Sequence, residues 1–132
     1  MSDINELASY VQPLYLKFKA NCQAAGLPTR TEDIGRTVEQ QAANITAGRS
    51  WTARSKHLPQ PPENKSEAWD EVPTDLLTDK FWGWHGTIEA SDPRWLQMGQ
   101  IGEALGLRWG GRWPVNPPHS RPDPGHFEFI HP

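Results

Sequence analysis

A single cysteine, Cys22, stands in the whole sequence, so no disulfide can form within the chain and a secreted, disulfide-stapled scaffold is excluded. There is no basic run either. Thirteen Lys and Arg against sixteen Asp and Glu leave a net charge of −3, which argues against a nucleic-acid binder and its usual basic face. No apolar stretch approaches the length of a membrane-spanning helix, so no stable membrane association is expected. The opening residues, Met1 to Glu6, lack the basic start and apolar run of a secretory signal. Synthesis in a reducing cytoplasm is the expectation. Internal repeats and low-complexity segments are also missing. Hydrophobic residues are sparse at 36%, but seven Trp and four Phe concentrate burial into a few large side chains.

A length of 132 residues suffices for one core, and a single domain spanning residues 1–132 is expected, with a helical segment over about 3–25 and a core over about 29–130. Ile4, Leu7, Ala8, Val11, Leu14, Tyr15, Phe18, Cys22 and Ala25 recur at helical spacing, and Gly26 followed by Pro28 supplies a stop. Pro13 inside this run predicts a kink or a break into two helices. Cys22 falls on the buried face as a core residue. The Thr-rich stretch from Thr29 to Arg36 reads as a strand ending at Gly35. Thr37 and Gln40, at capping-box spacing, then open a short helix that runs to Gly48.

Arg36 would lie at that strand-to-helix junction, although on composition alone it is a solvated surface residue. Ser66 to Val72 reads as a strand with Ala68 and Asp70 on one face and Trp69 on the other, Glu67 and Glu71 being expected to face solvent. The aromatic, Gly-punctuated stretch from Asp75 to Gly86 reads as a packed loop or groove wall. Asp92 and Pro93 form an N-cap and first-turn pair for a helix through Leu105, closed by Gly106, in which Gly99 and Gly102 permit close backbone approach. Leu107 to Trp113 leads into a loop from Pro114 to Pro124, and Phe127 to Ile130 reads as a last strand.

The residues that carry chemistry are few. His57 opens and Asp70 nearly closes a Pro-rich stretch, and Asp123-Pro-Gly-His126 lies near the C-terminus. Two imidazoles and one carboxylate are a usual catalytic zinc set that leaves a fourth position to water, with a second carboxylate as candidate base. On spacing alone His119 or His131 could stand in for His126. Glu128 is expected to orient a ligand, as carboxylates beside metal-binding histidines do. Trp109 and Trp113 read as core.

Taken in order, Ser55-Lys56-His57, Ala68-Trp69-Asp70, Trp109-Gly110-Gly111-Arg112-Trp113 and Asp123-Pro124-Gly125-His126-Phe127-Glu128 resemble the signature of the M15 zinc peptidases. That group includes D-Ala-D-Ala carboxypeptidases and dipeptidases and the L-alanyl-D-glutamate endopeptidases that phages use as endolysins. Arg36 to Gln41 and Gly48-Arg49 resemble its upstream segment. The resemblance implies Zn2+ held by His57, Asp70 and His126, with Asp123 as base and Arg36 on substrate oxygen. Gln41, Ser55 and Trp109 would join Arg36 in binding substrate, while His85, His119 and His131 have no role. The gap from His57 to Asp70 is longer than is usual in that group, and the usual Gly before Ala-x-Asp is replaced, Ser66 and Glu67 standing there instead.

The fold so implied is α+β, Hedgehog/DD-peptidase-like, a small antiparallel sheet with helices packed on one side and a zinc cleft over the sheet. The implied function is cleavage of the peptidoglycan stem peptide, as an L-alanyl-D-glutamate endopeptidase of a phage or prophage. Such an endolysin would be a monomer made in the host cytoplasm and released to the wall when a holin opens the membrane. The alternatives are a D-Ala-D-Ala carboxypeptidase or dipeptidase and, in a different class, a non-catalytic zinc-stabilised wall-binding module of a virion.

Overall fold

The computed structural model describes residues 3–35, 40, 43, 55–74, 92–114 and 122–132. Among the described residues the fold is α+β, with two complete α-helices packed against one open four-stranded antiparallel sheet. Pro13 breaks the N-terminal run. A 3-10 turn over Ile4–Glu6, capped by the Asp3 carboxylate accepting from Asn5 N–H at 2.8 Å, precedes helix α1 at Gln12–Ala24, with Pro13 in its first turn. There the missing proline donor costs nothing, because first-turn N–H groups have no partner within the helix. Between the two, Leu7 pairs as an isolated bridge with Ser66.

Strand β1 covers Thr29–Asp33, β2 Ala68–Pro73, β3 Arg108–Trp109 and β4 His126–Glu128, in sheet order β1-β2-β4-β3. β1 stops at Asp33, before the expected Gly35, and β2 begins at Ala68 rather than Ser66. β4 is shifted to begin at His126, and the stretch from Leu107 to Trp113 that leads toward the expected Pro114–Pro124 loop holds β3 and a 3-10 turn over Gly110–Arg112. Helix α2, Pro93–Ala104, starts where Asp92 and Pro93 predict, the Asp92 carboxylate accepting from Arg94 N–H at 2.9 Å. Both helices end alike. Gly26 and Gly106 take φ of 73° and 86°, and the residue after each glycine donates back to a carbonyl of the last turn, at 3.0 Å from Leu27 to Cys22 and 3.2 Å from Leu107 to Gly102.

Register divides the sheet into two faces. Trp69, Phe127 and Trp109 are cross-strand partners in one row under the helices. Phe18 of α1 meets Phe127 at 4.7 Å and Trp69 at 5.6 Å between ring centroids, and Tyr15 stands edge-on to Trp69 at 5.2 Å. From α2, Gly99 lies against the Trp109 indole and Gly102 against the Phe127 ring, so closely that a Cβ on either would fall 2.3 or 2.4 Å from a ring atom. The aromatics pinned there form the core together with Leu7, Val11, Cys22, Trp95 and Met98. Asp70 pairs with His126, Ala68 with Glu128 and Glu128 with Arg108, all on the face turned away from the helices.

Two acids correct the sequence reading. Glu67 and Glu71, expected to face solvent, are fully buried. Glu71 lies on the helix side, ion-paired with Lys19 and accepting from the Thr31 hydroxyl at 2.6 Å. Glu67 accepts from the Tyr10 hydroxyl, from Lys56 Nζ at 3.2 Å and from His131 Nε2 at 2.6 Å. A period of two places a side chain on a face but does not reveal which long cations reach over to match it. Gln40 and Ala43 are helical. The rest of the expected Thr37–Gly48 helix and the Asp75–Gly86 stretch lie outside the described residues, as do Arg36, Gln41, His85 and His119. Among the described residues no helix is long and apolar enough to cross a membrane.

Candidate metal centre

His57, Asp70 and His126 converge, each buried, with one potential ligand atom apiece and all three atoms within 4.8 Å of one another. Pairing in register places Asp70 and His126 side by side on β2 and β4. His57 arrives from a turn whose geometry is set by its neighbours. Its N–H donates to Ser55 Oγ at 3.1 Å, and its Nδ1 lies 2.7 Å from the Ile34 carbonyl. Ser66 Oγ donates to that same carbonyl at 3.1 Å and ties it to β2.

The hydrogen bonds dictate which nitrogens face inward. A carbonyl only accepts, so His57 Nδ1 carries the proton donated to Ile34, and its Nε2 is turned to Asp70 Oδ1 at 3.2 Å. His126 uses its nitrogens the other way round. Its Nε2–H donates to Glu128 Oε1 at 2.8 Å, which turns Nδ1 toward Asp70 Oδ1 at 3.7 Å. His57 Nε2, His126 Nδ1 and Asp70 Oδ1 are thus the three atoms that would face a bound cation. Donor atoms about 2.0–2.1 Å from a tetrahedral ion lie roughly 3.4 Å apart. The two contacts to Asp70 bracket that spacing, and the donor set of two imidazoles and a carboxylate fits zinc.

The electrostatics agree. Burial pushes the His126 imidazolium down, but hydrogen bonds to Asp70 and Glu128 and the charge of Asp123 outweigh it and raise the pKa to about 9. Glu128 is shifted the other way: burial raises its pKa, and the hydrogen bond and charge of His126, helped by Arg108 and Lys56, bring it below the usual carboxylate range. The site is built to hold a cation.

No protein-family model matches the chain. It is 28% identical over 121 residues to the L-alanyl-D-glutamate peptidase of Listeria phage A118, an alignment that takes in 90% of this chain and 39% of the relative. The chain therefore spans well under half the length of the curated relative it matches. Its fold superposes on the crystal structure of the Serratia marcescens L-Ala-D-Glu endopeptidase ChiX with a TM-score of 0.66, at 17% identity, over 96% of this chain and 83% of that one. The chain resembles the M15-type endopeptidases.

In this M15-like chain the long stretch between His57 and Asp70 folds away from the site. Its base is closed by Glu67 N–H donating to the Lys56 carbonyl at 2.9 Å, and a second rung pairs Gln60 with Lys65. Pro61 to Lys65 project into solvent, so the added length leaves the two ligands together. Asp123, partly exposed, sits in the turn that delivers His126, and several backbone groups of that turn are hydrogen-bonded. Asp123 N–H donates to the Gly110 carbonyl at 2.9 Å, and His126 N–H to the Asp123 carbonyl at 3.1 Å. The Gly125 carbonyl accepts from Glu71 N–H at 2.8 Å.

Trp109 completes the clamp with its indole N–H on the Pro124 carbonyl at 2.8 Å. At 3% exposure, its indole supports the turn. Ser55, likewise buried, has its hydroxyl engaged by the His57 amide. Trp113, which sequence reading placed in the core, is half-buried with its ring 4.8 Å from that of His126. His131 lies at Glu67 and not at the metal centre. The Ile34 carbonyl was beyond sequence reading, because a backbone acceptor leaves no mark on residue type. Gly110 did leave one, since a Cβ there would meet the Asp123 carbonyl at 2.4 Å.

Proposed function

We propose that this chain is a zinc-dependent peptidoglycan endopeptidase that cuts the stem peptide between L-Ala and D-Glu. The observation that carries the reading is the inward convergence of His57 Nε2, His126 Nδ1 and Asp70 Oδ1, all buried. The two relatives, a peptidase and an endopeptidase of the same bond, support the choice of substrate. Zinc held there by three protein ligands would polarise a peptide carbonyl and bring the pKa of a bound water toward about 7.

The chain's own residues supply the rest. Asp123 stands in a turn fixed at Trp109, Gly110 and Glu71, partly exposed, with its charge felt at His126. In this reading it would take a proton from the attacking water and return it to the leaving amine. The resemblance gives Arg36 the substrate oxygen, as a permanent cation that stabilises charge developing in the transition state, with Gln41 beside it. Acting on the wall, the enzyme would suit a phage or prophage endolysin.

Digestion of purified sacculi, followed by mass spectrometry and end-group labelling, tests the reading. New L-Ala carboxyl and D-Glu amino ends are expected, abolished by chelator and restored by zinc. Release of D-Ala would assign the bond to a carboxypeptidase instead. Asp123→Asn keeps size but cannot accept a proton near neutrality, so it should retain zinc and lose product formation, and full activity in that variant would remove Asp123 from the mechanism. Arg36→Ala should retain zinc and lower turnover by about a hundredfold or more.

A further inference from the structure

Glu128, expected to orient a ligand, is only 7% exposed, and a carboxylate so nearly buried needs matched partners. It has two. Oε1 accepts from His126 Nε2–H at 2.8 Å, and Oε2 lies 3.6 Å from Nη1 of Arg108, its cross-strand neighbour on β3. The pleat of β4 puts His126 and Glu128 on one face, two residues apart, and Ala68 opposite Glu128 leaves room for the contact.

The two imidazoles of the centre are therefore supported unequally. His57 rests on a neutral carbonyl of Ile34, whereas His126 rests on an anion held in turn by a guanidinium. A charged acceptor draws the Nε2 proton more strongly than a carbonyl does, and so leaves more electron density on Nδ1. We propose that Glu128, backed by Arg108, is a positioning residue that fixes His126 in its Nε2–H tautomer with Nδ1 inward and makes it the stronger imidazole donor to a divalent cation. The inference rests on the metal-centre reading given above and extends it to a residue outside the ligand set.

Zinc affinity of the full chain, measured by competition with a chromophoric chelator, tests it without reference to catalysis. Glu128→Gln is nearly isosteric but uncharged, and it can turn its amide NH2 toward Nε2 and favour the wrong tautomer. It should weaken zinc binding by about ten- to a hundredfold. Cys22→Ala, a core truncation on the opposite face of the sheet, serves as the control for simple loss of stability and should leave zinc affinity within about twofold.

Long-range 1H-15N spectra of the zinc-loaded protein give the second measurement. They should show His126 protonated at Nε2 and metallated at Nδ1, and His57 the reverse, with the His126 Nε2–H signal shifted or lost in Glu128→Gln. A parent that binds zinc while Glu128→Gln binds it equally well overturns the positioning role alone. A parent that binds no zinc overturns the metal centre and this inference with it. An equal loss of affinity in Cys22→Ala would make the effect a matter of stability, and would also overturn it.

Discussion

Glu67 is the residue whose surroundings most exceed what its type suggests. Burial alone would raise its pKa, but the Tyr10 hydroxyl, Lys56 and His131 together outweigh that and hold it below the usual 4.5. The folded state therefore binds fewer protons than the unfolded chain as pH falls through the acid range. The stabilisation is complete above the unfolded value near 4.5 and is lost as pH drops through the lower folded one. Because Lys56 and His131 are partly exposed, the stabilisation falls below that of a wholly buried pair. Urea unfolding should show the parent more stable than Glu67→Gln at pH 7, with the difference shrinking as pH falls below 4.5. A difference independent of pH would mean that packing, not charge, is what Glu67 contributes. Tyr10 reports the same contact from its other side, since burial and then Glu67 raise its pKa to about 12.

At the scale of elements, α2 and β4 act as one unit. The bare backbone at Gly102 lets the Phe127 ring lie against the helix, and Phe127 stands between His126 and Glu128 on the short strand that carries both. Gly102→Ala would put a Cβ 2.4 Å from that ring. Higher helix propensity favours alanine by up to about 1 kcal/mol, but overpacking costs about 1–3 kcal/mol, and the ring has Trp69 and Phe18 behind it and little room to yield. The variant should lower the thermal midpoint and, by displacing β4, weaken zinc binding several-fold. If zinc affinity is untouched while stability falls, helix and metal centre are not mechanically coupled. The Trp109 clamp belongs to the same scale, because Gly99 of α2 seats the indole whose N–H holds Pro124.

For the molecule as a whole, one sheet separates two kinds of interior. One face is dry and aromatic, and the other gathers the buried Asp70, His57, His126 and Glu128. The folded chain brings these ligands together and the unfolded chain does not, so metal and fold should be linked. At a free zinc concentration a hundred times Kd the linkage amounts to about 2.7 kcal/mol. Differential scanning calorimetry with zinc and with excess chelator should show the midpoint rise with zinc and fall with its removal, and identical profiles would mean that the site does not bind the ion in the folded state.

Local signals gave much of this protein before any fold was known. The Asp92-Pro93 start and Gly106 stop of α2, the stop at Gly26, the break at Pro13 and the alternation of Ala68, Trp69 and Asp70 all depend on interactions within a few residues, and sequence carries such interactions directly. The types and order of His57, Asp70, Asp123 and His126 were equally legible, since donor chemistry belongs to the side chain itself.

What tertiary structure alone decided was partnership over distance. It matched Glu67 and Glu71 to Lys56 and Lys19, turned Nε2 of one histidine and Nδ1 of the other inward, and pulled Trp109 and Ser55 beneath the site as supports. It also closed the long loop at its base, so that extra residues between His57 and Asp70 did not part them. A pattern of residue types fixes which groups can hydrogen-bond, whereas strand register and burial select the partners, and those depend on every element packed around them.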